Sequence, residues 1–587
     1  MAVGMTASNS QTAIANRKWA SAAIVACLRC GITDFFVAPG SRCTPLTIAL
    51  ANASGKWTGI SIHQHFDERG LAFAAIGYGR ATGRPGVFIC TSGTAVANAF
   101  PAVIESAAED IPFVLMTADR PRELRGSGSN QTIDQVELFG GYPEAFADLH
   151  CSKDGNNPSA VDKTIIGLLE KATHGPVHIN CMFAEPFLDE AYSDGDLLGL
   201  PCAVGTADLF SPPVGLADGE DSPIEIAGGK TLVVASGCRR EVALAAKDLA
   251  KRLGAPFMAD VTSGLRELAY DLALKRLIGH EAFWPDTLVH IGRRIVSKRL
   301  LKFMEAARPS TYLHINETNQ PIDPLHMVTD KVIGNVPSIC ERIQIKTEPP
   351  PEYLQKWTAV SGHSQEVLGQ QFNESPIGAI DANDHIDGIS EPAVAWHVAK
   401  TIPTGSGLFL GNSMPVREMD SFGFWESDRI VQVAANRGAS GIDGTIASAI
   451  GFAHGLGART TAIIGDLAAL HDLNSLQLLA TSTQPVVLIV INNDGGGIFH
   501  FLPIASQSSH FEKFYGTPHA RTFGHAAAMF GLDYTAPKTL PKFQEVYLQA
   551  IERDVSTVIE VTTDRTANLE CHQRILQRVS ESLDKVV

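Results

Sequence analysis

With 587 residues the chain has room for roughly three or four domains at ~100–200 residues each, and 45% hydrophobic against 19% charged residues excludes a disordered or fibrous polypeptide. Lys and Arg number 47 against 63 Asp and Glu, a net charge of −16, so the long-range field repels nucleic acid and anionic membrane surfaces. A binder of small anions must therefore gather its arginines locally. The ten cysteines are scattered without even spacing, which points to a reducing cytoplasm rather than a disulfide scaffold. No apolar run approaches the ~18 residues of a membrane span, and Met1 to Gln11 has neither the basic nor the apolar region of a secretory signal.

In chain order, Trp19 to Cys30 reads as a helix, Asp34 to Ala38 as a strand, Leu71 to Thr82 as a helix and Gly86 to Cys90 as a strand. Ala95 to Ala107 then reads as a helix and Pro112 to Met116 as a strand. That alternation predicts a parallel, doubly wound sheet, with the first domain at 12–190. Cys27 and Cys30 fall on the first helix with no second pair at zinc spacing, so they read as packing residues. His63 and His65 put two imidazoles on one strand face without a third ligand nearby in sequence, and read as strand-end side chains. Gly77 and Gly79 lie inside a helix and lack dinucleotide-binding spacing.

The stretch Asp189 to Asp221 is acidic, carries Pro and Gly, and lies within a region free of Lys and Arg from Lys171 to Lys230; it reads as a linker. A second α/β unit, 205–350, follows with a strand at Thr231 to Ala235, a helix at Arg240 to Leu253, and strands at Thr287 to Ile291 and Tyr312 to Ile315. Gly229-Lys230-Thr231 is not a phosphate loop, because Ile224 holds the required glycine position and a strand follows. Glu348 to Pro351 breaks the chain, and a polar segment to about Gly388 leads to a third unit, 385–587. Its strands at Leu408 to Leu410, Ile430 to Val433, Ala462 to Ile464 and Val486 to Ile491 repeat the rhythm of the first unit. The expected fold is α/β, with three doubly wound parallel-sheet domains.

Two features carry chemistry. Glu68 continues the stripe of Leu71, Ala75 and Tyr78 at the start of its helix, which makes it either a buried carboxylate in need of a partner or a first-turn acid on the helix dipole. In the third unit, one strand ends in Gly465-Asp466, and 27 residues after Asp466 stands Asn493, in a second strand end that runs Asn492 to Gly497. Carboxyl ends of parallel strands are where α/β sheets bind ligands. Asp, Asn and Gly carbonyl oxygens there suit a hard divalent cation held together with phosphate.

That pairing resembles the cofactor motif of the thiamin-diphosphate-dependent enzyme superfamily, Gly-Asp-Gly followed by Asn-Asn, and the three units resemble its pyrimidine, central and diphosphate domains. Ala38 to Arg42, Phe66 to Arg69, Thr91 to Asn98, Thr117 to Pro121, Asn130-Gln131, Gly411 to Ser413, Asn436 to Gly444, Gly465 to Leu467 and Gly497 to Phe499 narrow the resemblance to the carboligases of menaquinone biosynthesis. Leu467 stands where the general motif ends in Gly, and Cys43 where Ser or Asn is more usual. The likeness runs from about Trp19 to the C-terminal region and is weakest in the middle domain.

The resemblance implies a transferase that decarboxylates 2-oxoglutarate and adds the remaining carbanion to isochorismate, with thiamin diphosphate and Mg²⁺ or Mn²⁺ as cofactors. It implies Glu68 and Gln131 as catalytic residues, Glu68, Ser440, Ile442, Asp466, Asn493 and Gly495 around the cofactor, and Asp466, Asn493 and Gly495 on the metal. For the dicarboxylate substrates it implies Arg42, Arg120, Lys298, Arg299, Arg417 and Arg437, with Ser41, Gln131 and Ser413 as hydrogen-bonding partners. Ile498, Phe499 and Leu502 would form an apolar wall. Because Glu68 and Asp466 fall in different domains, it also implies a cofactor shared across an interface of a homodimer or homotetramer. The alternatives are another thiamin carboligase, of acetolactate synthase type, and a catalytically silent cofactor-binding protein.

Overall fold

Strands such as Phe113–Asp119 and Val486–Asn492 are buried at every position, the mark of a parallel sheet covered on both faces. In the computed structural model, which describes residues 7–154, 157–188, 210, 222–266, 268–373, 388–426 and 428–586, every strand pairing is parallel. The first sheet comprises β1 (Asp34–Val37), β2 (Ser61–Gln64), β3 (Gly86–Cys90), β4 (Phe113–Asp119), β5 (Ala145–Leu149) and β6 (Pro176–Met182), in the order β2-β1-β3-β4-β6-β5.

The middle region holds β7 (Ile224–Gly228), β8 (Thr231–Ser236), β9 (Phe257–Ala259), β10 (Thr287–Gly292), β11 (Thr311–Asn316), β12 (Asp330–Ile333) and β13 (Ile343–Thr347). They form a five-stranded sheet, β12-β11-β10-β8-β9, and a β13-β7 pair. The third sheet comprises β14 (Ser406–Leu410), β15 (Val431–Ala434), β16 (Thr460–Gly465), β17 (Val486–Asn492), β18 (Asp533–Thr535) and β19 (Thr557–Thr562), in the order β15-β14-β16-β17-β19-β18. Strand for strand, the third sheet repeats the order of the first. In each, the direction of winding reverses beside the first strand, which opens a crevice at the carboxyl ends of β1 and β3, and of β14 and β16.

The contacts group the chain into two units, one of Met1–Pro212, Gly438–Gly457 and His471–Gln484, the other of Pro213–Arg437, Ala458–Leu470 and Pro485–Val587. Within the first unit, helix Glu68–Thr82 packs on helix Thr445–Leu456 at backbone contact: a Cβ on Gly77 would lie 2.2 Å from the Ser448 carbonyl oxygen, and one on Gly451 1.9 Å from that of Ala74. Only glycine allows so close an approach. A core of Trp19, Phe35, Val114, Met116 and Phe183 fills one face of the first sheet. In the second unit, Trp357, Trp396, Phe422 and Tyr547 belong to one core, and Val233, Leu249, Val289 and Ile315 to another.

Several expected elements are corrected in detail. The expected helix from Ala95 is two, Thr94–Asn98 and Phe100–Ala108, because Pro101 has no N–H to continue the ladder. The polar segment before Gly388 contains helix Pro351–Asn373, which the proline run starts rather than prevents; its Tyr353, Trp357, Val360 and Leu368 are buried. Helix Arg240–Leu253 has the expected bounds. Gly228 and Gly229 form a positive-φ turn between β7 and β8, so Lys230 does not open a phosphate-binding helix. Burial pushes the Cys27 thiol well up and that of Cys30 to about 11, the opposite of a reactive thiolate. Apart from Phe210, the expected linker 189–221 lies outside the described residues. No helix among the described residues is long and apolar enough to cross a membrane.

Candidate active site

In the first unit the candidate residues gather at the carboxyl ends of β1 to β4. β1 runs into the turn carrying Gly40, Ser41 and Arg42; a Cβ on Gly40 would overlap Thr91, so the turns after β1 and β3 press together. β2 leads to Asp67, which caps helix Glu68–Thr82 by accepting hydrogen bonds from the Arg69 and Gly70 amides, so Glu68 is the first helical residue. Glu68 is half-buried, less than a core-facing stripe predicts, and accepts a long 3.4 Å contact from Asn98 Nδ2.

Arg120, directly after β4, is buried and donates from Nη1 to Ser92 Oγ at 2.6 Å and to the Gln131 carbonyl at 2.7 Å. Gln131, in the left-handed region at φ 54°, donates from Nε2 to the Ser92 carbonyl at 3.1 Å. Arg42 is also buried and donates to the Phe183 carbonyl at 3.0 Å and to Glu185 at 2.7 Å. Burial lowers its pKa, and the positive charge of Arg120 lowers it further, so two guanidiniums share one neighbourhood in a chain of net negative charge. Ser41 is exposed on the same turn.

Ser440, at φ 57°, and Ile442, 37% exposed, sit on the loop before helix Thr445–Leu456. Glu105 holds this loop by accepting hydrogen bonds from the Gly438 amide at 3.0 Å and the Ala439 amide at 2.8 Å, and is itself paired with Arg80. No sequence signal singled out Glu105, because its partner lies more than three hundred residues away.

In the second unit, Asp466 follows β16 and the turn after β17 carries Asn493 and Gly495. Asp466 Oδ1 accepts from the Leu467 amide at 2.6 Å and Oδ2 from the Gly495 amide at 2.9 Å, with His519 Nε2 3.2 Å away. Burial nevertheless pushes its carboxyl above the ordinary value. Asn493 Nδ2 donates to Glu391 at 2.8 Å, which leaves Oδ1 buried with no hydrogen-bond partner among the described residues. An acceptor left so is costly unless a ligand completes it. Gly495 has φ 132°, and a Cβ there would lie 1.9 Å from the Gly516 carbonyl oxygen. The donor set therefore fits a hard divalent ion on a diphosphate: two oxygen-bearing side chains, one of them unsatisfied, on a turn that only glycine can make. Burial drives Glu391 up to about 8, the Glu418 charge reinforcing this, so at neutral pH it orients Asn493 largely as a neutral acid. Glu391 and His519 escaped the sequence reading because neither belongs to a local motif.

Ser413 follows β14 at φ 69° and opens helix Met414–Phe422; Arg417, one turn on, donates back to its carbonyl. Burial lowers the Arg417 pKa, and Arg437 lowers it further by repulsion, which places these two cations within electrostatic reach of each other. Arg437 donates to Asn412 at 2.7 Å. Lys298 is exposed at the start of helix Lys298–Ala307, and Arg299 pairs with Asp271 at 2.5 Å; the same carboxylate accepts from Ser421 on the Arg417 helix at 2.7 Å. Ile498 and Phe499 are half-buried on the short turn Gly497–Phe501, and Leu502 is 38% exposed beyond it. Three candidates, Gln131, Ser413 and Ser440, hold left-handed backbone that their residue types rarely adopt, a strain that concentrates at ligand sites.

Paired doubly wound sheets of one order, an acid at the head of a helix and an Asp–Asn oxygen cradle define a thiamine pyrophosphate enzyme. The matching family descriptions are those of the N-terminal TPP binding domain over residues 18–138, the middle domain over 221–410 and the C-terminal TPP binding domain over 419–561. Similar proteins include the 2-succinyl-5-enolpyruvyl-6-hydroxy-3-cyclohexene-1-carboxylate synthases of Rubrobacter xylanophilus (40% identical, over 96% of this chain and 98% of the relative), Salinibacter ruber (37%, 97% and 97%) and Chlorobium luteolum (35%, 95% and 96%). The chain belongs to the 2-succinyl-5-enolpyruvyl-6-hydroxy-3-cyclohexene-1-carboxylate synthase family.

Proposed function

We propose that the protein decarboxylates 2-oxoglutarate and adds the resulting succinyl-semialdehyde carbanion equivalent to isochorismate in a 1,4-addition, in the menaquinone pathway. The observation that carries this reading is the buried, unsatisfied Asn493 Oδ1 beside Asp466, a cradle shaped for a metal diphosphate. Thiamin diphosphate supplies, when bound, a nucleophilic carbon and an electron sink for decarboxylation.

Asp466, Asn493 and the Gly495 carbonyl would hold Mg²⁺ or Mn²⁺, and we take Ser440 and Ile442, the latter with its bulky apolar side chain, as further cofactor-binding residues. Glu68, half-exposed at a helix start, would hydrogen-bond the aminopyrimidine ring through its carboxylate and act there as the general acid–base group. Arg42, Arg120, Arg417, Arg437, Lys298 and Arg299 are the candidates to bind the substrate carboxylates, since guanidinium forks orient them bidentately. Ser41, Gln131 and Ser413 add hydrogen bonds, Gln131 next to the reacting atoms. Ile498, Phe499 and Leu502 exclude water from the reacting carbons. We take the domains as 12–190, 205–350 and 385–587, the working form as a homodimer or homotetramer, and the compartment as the cytoplasm.

Purified protein with thiamin diphosphate, Mg²⁺, 2-oxoglutarate and isochorismate tests this by following CO₂ release and isochorismate loss together. The two are expected in equal amounts, and Arg417→Ala and Arg437→Ala are each expected to lower kcat/KM for 2-oxoglutarate by about 10–100-fold, the loss of a charge-assisted hydrogen bond. CO₂ release with isochorismate untouched overturns the acceptor assignment.

A further inference from the structure

The histidine pair of β2 is not used by the proposed chemistry, yet it does not stand alone. Asp34 opens β1, Phe36 lies two residues on, and His63 is the register partner of Phe36 on β2, so all three side chains share one face of the first sheet. The His63 ring stacks on Phe36 with centroids 4.6 Å apart. Helix Thr445–Leu456 of the same unit brings His454 to this face, its ring 4.2 Å from that of His63 and its Nε2 2.7 Å from Asp34 Oδ1. His63 Nε2 is buried, with no hydrogen bond within normal length among the described residues, and lies 3.5 Å from the same oxygen. The two further ligands missing from the sequence around His63 thus come from distant segments, Asp34 and His454. One ligand atom from each of Asp34, His63 and His454 falls within 4.8 Å of the others.

We propose that Asp34, His63 and His454 form a binding site for one divalent transition-metal ion of the Zn²⁺ class, with water completing the coordination. Two imidazole nitrogens and one carboxylate oxygen are a donor set for Zn²⁺, Co²⁺ or Fe²⁺, whereas Mg²⁺ prefers the oxygen ligands at Asp466 and Asn493. Zn–ligand bonds of ~2.0–2.1 Å place tetrahedral donors about 3.3 Å apart, so the Asp34–His454 contact opens by roughly half an ångström and the His63–Asp34 distance hardly changes. Thr33 Oγ1, 2.8 Å from Asp34 Oδ2, fixes the carboxylate from outside, as second-shell partners do. The His63 and His454 side chains keep 23% and 20% of their surface exposed, which gives an ion a way in.

The test uses the full-length protein, stripped with a chelator and kept in excess Mg²⁺, titrated with Co²⁺ and then Zn²⁺. One Co²⁺ per chain is expected, with a visible absorption band that Zn²⁺ abolishes, and with Zn²⁺ raising the melting temperature. His63→Gln and His454→Gln are each expected to weaken Co²⁺ binding at least about tenfold and to lose the band, while Asp466→Ala keeps it. His63→Gln is the deciding variant should His454→Gln misfold, because among the described residues His63 Nε2 has only the long 3.5 Å contact with Asp34 to lose. Wild type that binds no Co²⁺ in Mg²⁺, or a folded His63→Gln that binds it as tightly as wild type, overturns the proposal.

Discussion

The first and third sheets share one strand order, 2-1-3-4-6-5 within each set, yet their carboxyl edges are furnished differently. The first sheet's edge presents charged side chains: Glu68 at a helix start, and Arg42 and Arg120 held by carbonyls and a hydroxyl. The third sheet's edge presents a rigid turn of Asp466, Asn493 and Gly495, tied together by backbone amides. Identical scaffolds thus separate the two tasks, since what a sheet does is decided by the residues at its ends and not by its topology. We read the first edge as the part that activates and the third as the part that anchors.

The comparison is sharpened first at the anchor. Asp466→Ala should weaken thiamin diphosphate binding at least about 10–100-fold in calorimetric titration with Mg²⁺, because it removes the proposed metal ligand and the acceptor that pins Gly495. Equal loss from a first-edge variant that keeps its fold would break the division of tasks. Next in size, Gly451→Val should lower stability in urea by about 1–3 kcal/mol or more, since its Cβ has no space against the Ala74 backbone. Arg120→Lys, which keeps the charge and loses the fork, should cost about tenfold in kcat/KM for the dicarboxylates and little in cofactor affinity.

The most gradual effect concerns pH. Burial lowers His178 in β6 to about 3, so it is neutral in the folded state, while the unfolded chain takes up the proton below about pH 6.5. The unfolded state then binds more protons, and stability falls as pH drops from about 6.5 toward 3, by at most ~1.4 kcal/mol per unit from this group. His178→Gln should flatten that part of a denaturation-against-pH series; an unchanged slope would contradict it.

How far the sequence made this visible depended on locality. The two strand-end motifs stood beside clear strand signals, so their placement at a carboxyl edge was legible, and Glu68 was legible as the acid at the start of its helix. Glu105, Glu391 and His519 were not, because each acts on a segment brought to it by the fold: Glu105 on the Gly438 amide, Glu391 on Asn493, His519 on Asp466. For the same reason His63 looked ligandless: Asp34, at the head of the first strand, and His454 are brought to it by the fold. Helix Pro351–Asn373 was hidden by its prolines and polar face, since a proline at the first helical turn starts a helix while the same residue inside one breaks it.

The most direct test of the division between edges is to measure turnover and cofactor affinity separately in Glu68→Gln. The account predicts that thiamin diphosphate and Mg²⁺ bind within a few fold of wild type while product formation from 2-oxoglutarate and isochorismate falls by about 10²–10⁴-fold. A Glu68→Gln protein that binds the cofactor and turns over at the wild-type rate would contradict it.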